Sequence, residues 1–253
     1  MAYRQKKWEF QNSVEYEYSY KGNCGAKGEK RKERVKPTPE QVIKQNLKNR
    51  TNYVRRLIKA NFGPGDYWIT LKYTCGTRKS VEDVKKDIKR FITNMRTAYK
   101  KQEEKFKYIY RVEIGSRGGI HIHIILNRRR NGTATDVLVE RYWKGGHPHF
   151  SLLYEDGGYA QLASYLVKPA LEEKEDSYLK AYHPSRNLKK PVPEIKIFTR
   201  RTVKKLIEEG PVPEEGFYID RDTLVVGENP FTGMSYLHYT EVRINPIRGS
   251  GNG

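Results

Sequence analysis

Apolar and polar positions along this chain follow two periods. At 67–74 (YWITLKYT) they alternate, with Ile69, Leu71 and Tyr73 on one side and Thr70, Lys72 and Thr74 on the other. A period of two predicts a half-buried strand. From Ser80 the period lengthens. Val81, Val84, Ile88, Phe91, Ile92, Met95 and Tyr99 form one apolar stripe, and Ser80 with Asp83 has the form of a helix start, so a helix is predicted to about residue 104. Alternation returns at 107–114 and 120–126, on either side of Gly115-Ser116-Arg117-Gly118-Gly119. A basic loop follows at 128–132, then a predicted strand at 149–154 and a short helix at 158–168 stopped by Pro169. Upstream, Thr38-Pro39-Glu40-Gln41 has a capping-box shape with proline at the first helical position. Behind it Val42, Ile43, Leu47, Val54, Leu57 and Ile58 predict a helix over 39–60, which Gly63-Pro64-Gly65 breaks. Beyond 181 the pattern weakens to two strand-like runs, 217–226 and 235–243.

This order predicts an α+β fold: a central antiparallel sheet with helices mainly on one face. Three segments are expected: a basic N-terminal extension with its helix (1–62), a central domain (63–191), and a C-terminal extension with a β-hairpin (192–253).

The hairpin 107–126 carries the chemistry. With Gly115–Gly118 as its loop, Ile114 faces Ile120, Val112 faces Ile122 and Tyr110 faces Ile124, so every pair on that face is apolar. The same register sets Glu113 opposite His121 and Arg111 opposite His123. Cross-strand Cβ atoms lie about 4.5–5.5 Å apart, so one carboxylate and two imidazoles share a small patch. Mixed His and carboxylate sets suit a divalent catalytic metal. The plainer reading of His-x-His is alternation on a wet face, and the opposed Glu113 weighs against it. His147-Pro148-His149 repeats the pattern, but its central proline argues for loop histidines.

On the short helix, Gln161, Tyr165 and Lys168 share a polar side, and Leu162, Ala163, Leu166 and Val167 take the other. A nearby cation favours the negative charge that develops on a phenol oxygen. A lone Tyr-x-x-Lys means little in a chain with 19 tyrosines. Its interest comes from lying downstream of a metal-like cluster.

Composition narrows the partner. Lys and Arg number 49 against 30 Asp and Glu, a formal charge of +19. Residues 1–62 hold 16 basic and 6 acidic residues, with the densest run at 27–36. Polyanions, nucleic acid first, are the expected partners, and the N-terminal segment is the candidate for duplex or origin engagement. The pattern contains no membrane-spanning run and no signal-peptide core, so a cytoplasmic location without membrane contact is expected. Cys24 and Cys75 have no metal or redox spacing.

The ordered motifs are Tyr-Trp-Ile-Thr-Leu-Lys-Tyr-Thr (67–74), Glu113 eight residues before His121-Ile122-His123, and Tyr165-Leu-Val-Lys168. Together they resemble the HUH endonucleases, above all the rolling-circle replication initiators of bacterial plasmids, phages and integrative elements. Asn61-Phe62, the stretch 185–191 (SRNLKKP) and a weaker echo at 229–233 (NPFTG) add to the likeness, which covers roughly 38–191. The resemblance implies an RRM-like Rep nuclease fold, and Mg²⁺ or Mn²⁺ held by Glu113, His121 and His123. Tyr165 would be the nucleophile and Lys168 its electrostatic assistant. It also implies a single-stranded or hairpin origin as substrate and a 5′-phosphotyrosine intermediate whose free 3′-OH primes a host polymerase. Candidate DNA contacts are Thr70, Lys72, Thr74, Arg111, Arg117, Gln161, Arg128, Arg129 and Arg130. The sequence has no GxxxxGK[ST] loop, so a separate host helicase is expected. Two departures stand out: Pro169 biases Lys168 away from helical backbone, and position 161 is Gln, so the two-tyrosine form of the family is not matched. A conjugative relaxase with the same chemistry, or a non-catalytic nucleic-acid-binding module, are the competing readings. The oligomeric state is left open.

Overall fold

The alternating and helical stretches fold as the elements of two five-stranded antiparallel sheets. The structure, a computed structural model, describes residues 2–22, 37–115, 118–154, 156–167, 177–180, 182–229 and 232–247. The basic run 27–36, Cys24, Arg117, Lys168, Pro169 and the Pro230-Phe231 step lie outside the described residues. In chain order the elements are β1 (Ala2–Glu9), β2 (Ser13–Tyr20), α1 (Pro39–Lys59), β3 (Tyr67–Lys72), α2 (Val81–Lys100), β4 (Tyr108–Ile114), β5 (Ile120–Leu126) and α3 (Thr135–Tyr142). Then come β6 (His149–Leu152), α4 (Ala160–Val167) behind a single 3-10 turn, α5 (Ser177–Lys180), β7 (Tyr182–Pro184), β8 (Glu194–Thr199), α6 (Arg200–Glu209), β9 (Phe217–Asn229) and β10 (Met234–Arg243).

The chain forms two compact units, one from Met1–Gln45 and Pro191–Ile247, the other within Asn46–Lys190. These divisions differ from the expected 62/63 cut, because residues of the N-terminal segment are strands rather than an arm. Val14, Tyr16, Tyr18 and Tyr20 alternate with Glu15, Glu17 and Ser19, and a strand uses that pattern directly. In the first unit the strand order is β8-β1-β2-β10-β9. Its core joins Tyr3, Val14, Tyr16, Tyr18, Leu237 and Tyr239 to Val203, Leu206 and Ile207 of α6. Tyr16 and Tyr239 stack with ring centroids 4.8 Å apart. The expected C-terminal hairpin is present as β9 and β10, with an irregularity between His238 and Thr240.

The second unit holds the hairpin. Its strand order is β6-β3-β5-β4-β7, and every pair is antiparallel. β3 and β4 therefore run in one direction on either side of β5, joined through α2, which is a split β-α-β arrangement. The Ser80 hydroxyl accepts from the Asp83 backbone N–H at 3.1 Å and so starts α2. The α2 stripe then packs with Leu138, Val139 and Trp143 on Ile69, Leu71, Val112, Ile122 and Ile124.

Helices cover both faces of this sheet, not mainly one. On the second face Val54, Leu57 and Ile58 of α1 and Ala163, Leu166 and Val167 of α4 pack on Ile109 and Ile125. The capping box forms: the Gln41 N–H donates to Thr38 Oγ1 at 3.3 Å, and the Thr38 N–H donates to Gln41 Oε1 at 2.9 Å. Only the second half of α1 joins the core. Val42, Ile43 and Leu47, grouped with it by spacing, are exposed. Among the described residues no helix is long and apolar enough to cross a membrane.

Phe91 is 1% exposed and Ile43 is 67% exposed, though both fall on helical stripes. Phe91→Ala is expected to cost about 3–5 kcal/mol. Ile43→Ala should stay within about 0.5 kcal/mol. Urea denaturation followed by circular dichroism checks the pair, and equal effects would mean that α2 is not the core helix.

Candidate active site

The second face of this sheet is a grid set by strand register. Trp68, Ile125 and Ile109 form one row across β3, β5 and β4. Thr70, His123 and Arg111 form the next, and Lys72, His121 and Glu113 the third. The apolar row lies under the side chains of α1 and α4, and the polar rows continue the same face. Side chains that alternate around the loop at Gly115 could reach this arrangement in no other register, since a slip of one residue would turn them all to the α2 face.

α4 brings the nucleophile candidate. Ala163, Leu166 and Val167 are buried in the apolar patch, which leaves Tyr165 turned toward the polar rows. Its hydroxyl donates to Glu113 Oε2 and lies 2.7 Å from His123 Nε2. Trp68 stacks on His123 with centroids 5.5 Å apart and meets Tyr165 edge-on at 5.8 Å. Thr70 Oγ1 lies 3.2 Å from His123 Nδ1. A phenol has one proton, and here it goes to Glu113. The phenol oxygen then accepts from His123 Nε2–H, and Nδ1 accepts from the Thr70 hydroxyl. Thr70, His123, Tyr165 and Glu113 thus form one donor chain. The opposite tautomer, with a lone pair free on Nε2, is served equally well, because a hydroxyl both donates and accepts.

Burial governs the electrostatics. It lowers the His123 pKa from 6.5 to about 4, although Glu113 pulls the other way. Burial, with the hydrogen bond and charge of Glu113, holds the Tyr165 phenol above its ordinary range, and Arg111 opposes that shift. The site at rest therefore has a neutral imidazole and a protonated phenol.

As placed, no three His, Cys, Asp or Glu side chains among the described residues close on one point as a metal group. The His121 ring stands edge-on to His123 with centroids 6.1 Å apart. The donor set nevertheless fits a divalent ion. His123 Nε2 and Glu113 Oε2 are 3.3 Å apart, His121 is the next outward residue on β5, and Thr70 supplies the outer hydrogen bond that orients a ligating imidazole.

The remaining candidates divide. Lys72 is exposed beside His121, and Gln161 is exposed on α4. The Thr70 hydroxyl is used on His123, as above. Thr74 lies past the end of β3 and bonds the Gly145 carbonyl at 3.2 Å. Arg111 is buried, and its Nη1 donates to the Leu166 carbonyl at 3.0 Å. Arg128, Arg129 and Arg130 follow the far end of β5. Seven residues at about 3.3 Å each separate His121 from Arg128. His149 is the first residue of β6 and pairs with Thr70, so it stands on the site face rather than in a loop. The strand is an edge and short, which is how a neighbouring proline is tolerated. Trp68 was not among the residues that the sequence pattern singled out. Its signal was available: it is a large aromatic on the otherwise polar side of β3.

Residues 66–170 match a family model for replication-associated proteins of the ORF2 type. This stretch is similar to replication-associated proteins. The matched span runs from just before β3 to just past α4 and so contains every residue of the grid and Tyr165. The chain has no match among curated proteins or solved structures.

The depressed His123 pKa has a measurable sign. Between about pH 4 and pH 6.5 the unfolded chain binds a proton that the folded site does not. The contribution of His123 to stability should rise with pH through that window and be complete above it. In nitrogen-15 spectra of the metal-free protein, His123 should titrate near pH 4. Glu113→Gln should lower that midpoint further, since Glu113 raises it. A His123 midpoint at or above 6.5 would contradict the buried site.

Proposed function

We propose that this protein initiates rolling-circle replication by nicking single-stranded or hairpin-extruded origin DNA through a covalent tyrosine intermediate. The carrying observation is the meeting of the Tyr165 hydroxyl from α4 with Glu113 and His123 from the β4–β5 hairpin. The likeness of 66–170 to replication-associated proteins supports the same reading. A non-catalytic binding module has no need of a phenol aimed at a carboxylate and an imidazole in one patch.

Glu113, His121 and His123 would hold Mg²⁺ or Mn²⁺, which when bound supplies Lewis acidity to a phosphate oxygen. The other steps belong to the chain. Tyr165 Oη forms a bond to the scissile phosphorus. The bond from phosphorus to the 3′ oxygen breaks, and its electron pair leaves with that oxygen, which takes up a proton to become a 3′-OH. The phenol proton already points at Glu113, so that carboxylate is its nearest acceptor. Glu113 at rest also holds the phenol pKa up, so neutralising its charge releases one restraint on ionisation. The 5′ phosphate stays on Tyr165. The phosphodiester energy is conserved there, and a later 3′-OH can reverse the step without ATP. The 3′-OH left behind primes a host polymerase, with unwinding by a separate helicase.

Two tests follow. Wild-type protein with single-stranded origin DNA and Mn²⁺ should give an adduct that survives denaturing gels. Tyr165→Phe should lower its yield by at least about 10⁴-fold, toward background. An adduct of normal yield from Tyr165→Phe would remove Tyr165 as nucleophile. Calorimetric Mn²⁺ titration should show binding to the wild type and its loss in the His121→Ala/His123→Ala double variant. Unchanged binding would move the ion elsewhere, with His149 the nearest other imidazole on this face.

A further inference from the structure

Arg111 was a candidate DNA contact by sequence, yet its side chain is turned inward. It is 6% exposed, stands directly opposite His123 in the β4–β5 register, and is followed two residues later on the same face by Glu113. Its guanidinium Nη1 donates at 3.0 Å to the backbone carbonyl of Leu166, the residue after Tyr165. The last carbonyls of a helix have no partner within it, and a cation there is favoured by the helix dipole. α4 has only eight residues, and a helix that short is marginal without such support. Its buried side chains fix how it lies on Ile109 and Ile125, but apolar packing is non-directional. A hydrogen bond to a rigid, planar guanidinium is directional, and it acts one residue from the phenol.

We infer that Arg111 is a positioning residue: it clamps the last turn of α4 to β4 and so holds the Tyr165 hydroxyl between Glu113 and His123. The catalytic part of this inference rests on the nicking function proposed above. The geometric part does not. The clamp also accounts for a permanently charged side chain buried beside a nucleophile without reaching the solvent where DNA would lie.

The test uses the full-length protein and the variants Arg111→Met and Arg111→Lys. Two readouts are taken: hydrogen–deuterium exchange of peptides covering 160–167, and adduct formation with single-stranded origin DNA resolved into maximal rate and KM. Arg111→Met should speed exchange in 160–167 and lower the maximal rate by about 100-fold, the scale of a small misplacement of reacting groups, with KM changed less than about twofold. Arg111→Lys, which keeps the charge and one donor, should fall between, and it serves alone if Arg111→Met does not fold. A raised KM with an unchanged maximal rate would overturn the inference and return Arg111 to DNA contact. Wild-type exchange in both variants would overturn it as well. If the wild type itself forms no adduct, the proposed function fails, and exchange alone still decides whether the clamp exists.

Discussion

The register between β4 and β5 is the constraint on which the rest depends. Pairing Ile114 with Ile120, Val112 with Ile122 and Tyr110 with Ile124 sends these side chains into the core under α2. Each buried side chain of that kind contributes about 1.5–3 kcal/mol. A slip of one residue would expose them all and bury Glu113, His121 and His123 in their place. The apolar face thus holds the polar face in register, although none of its residues takes part in chemistry.

That polar face works because it is divided. Ile109 and Ile125 at one end give α1 and α4 something to pack on, and the rows beginning with Thr70 and Lys72 are left for function. α4 carries the same division in its own sequence, with Ala163, Leu166 and Val167 down and Tyr165 toward the rows. The arrangement sets two demands against each other. Burial positions the phenol, and burial with Glu113 also makes it harder to ionise. Arg111 and the charge state of Glu113 are the two levers that lie within reach of that conflict.

Much of this could be read from the chain. The β4–β5 register followed from pairwise apolar matching across one loop, and it placed Glu113, His121, His123 and Arg111 on one face. The α2 stripe and the capping box at Thr38 were equally plain. Other features were hidden for physical reasons. The N-terminal strands were masked by charge: Arg4, Lys6 and Lys7 were counted toward a basic arm, while the alternation of Val14, Tyr16, Tyr18 and Tyr20 carried the structural information. The first half of α1 has helical spacing without burial, and spacing alone does not say where the core ends. Arg111 could be placed opposite His123, but an arginine is long enough to turn either to solvent or to a helix end. Its direction depended on where α4 lay. Trp68 and His149 needed the neighbouring strands before they could join the site.

The central claim is that Tyr165 and no other tyrosine takes the phosphate. Peptide mapping of the purified protein–DNA adduct by mass spectrometry tests it most directly. The account predicts a nucleotide attached through its 5′ phosphate to the peptide carrying Tyr165. Attachment to another tyrosine, such as Tyr154 or Tyr182, or through a 3′ phosphate, would contradict it.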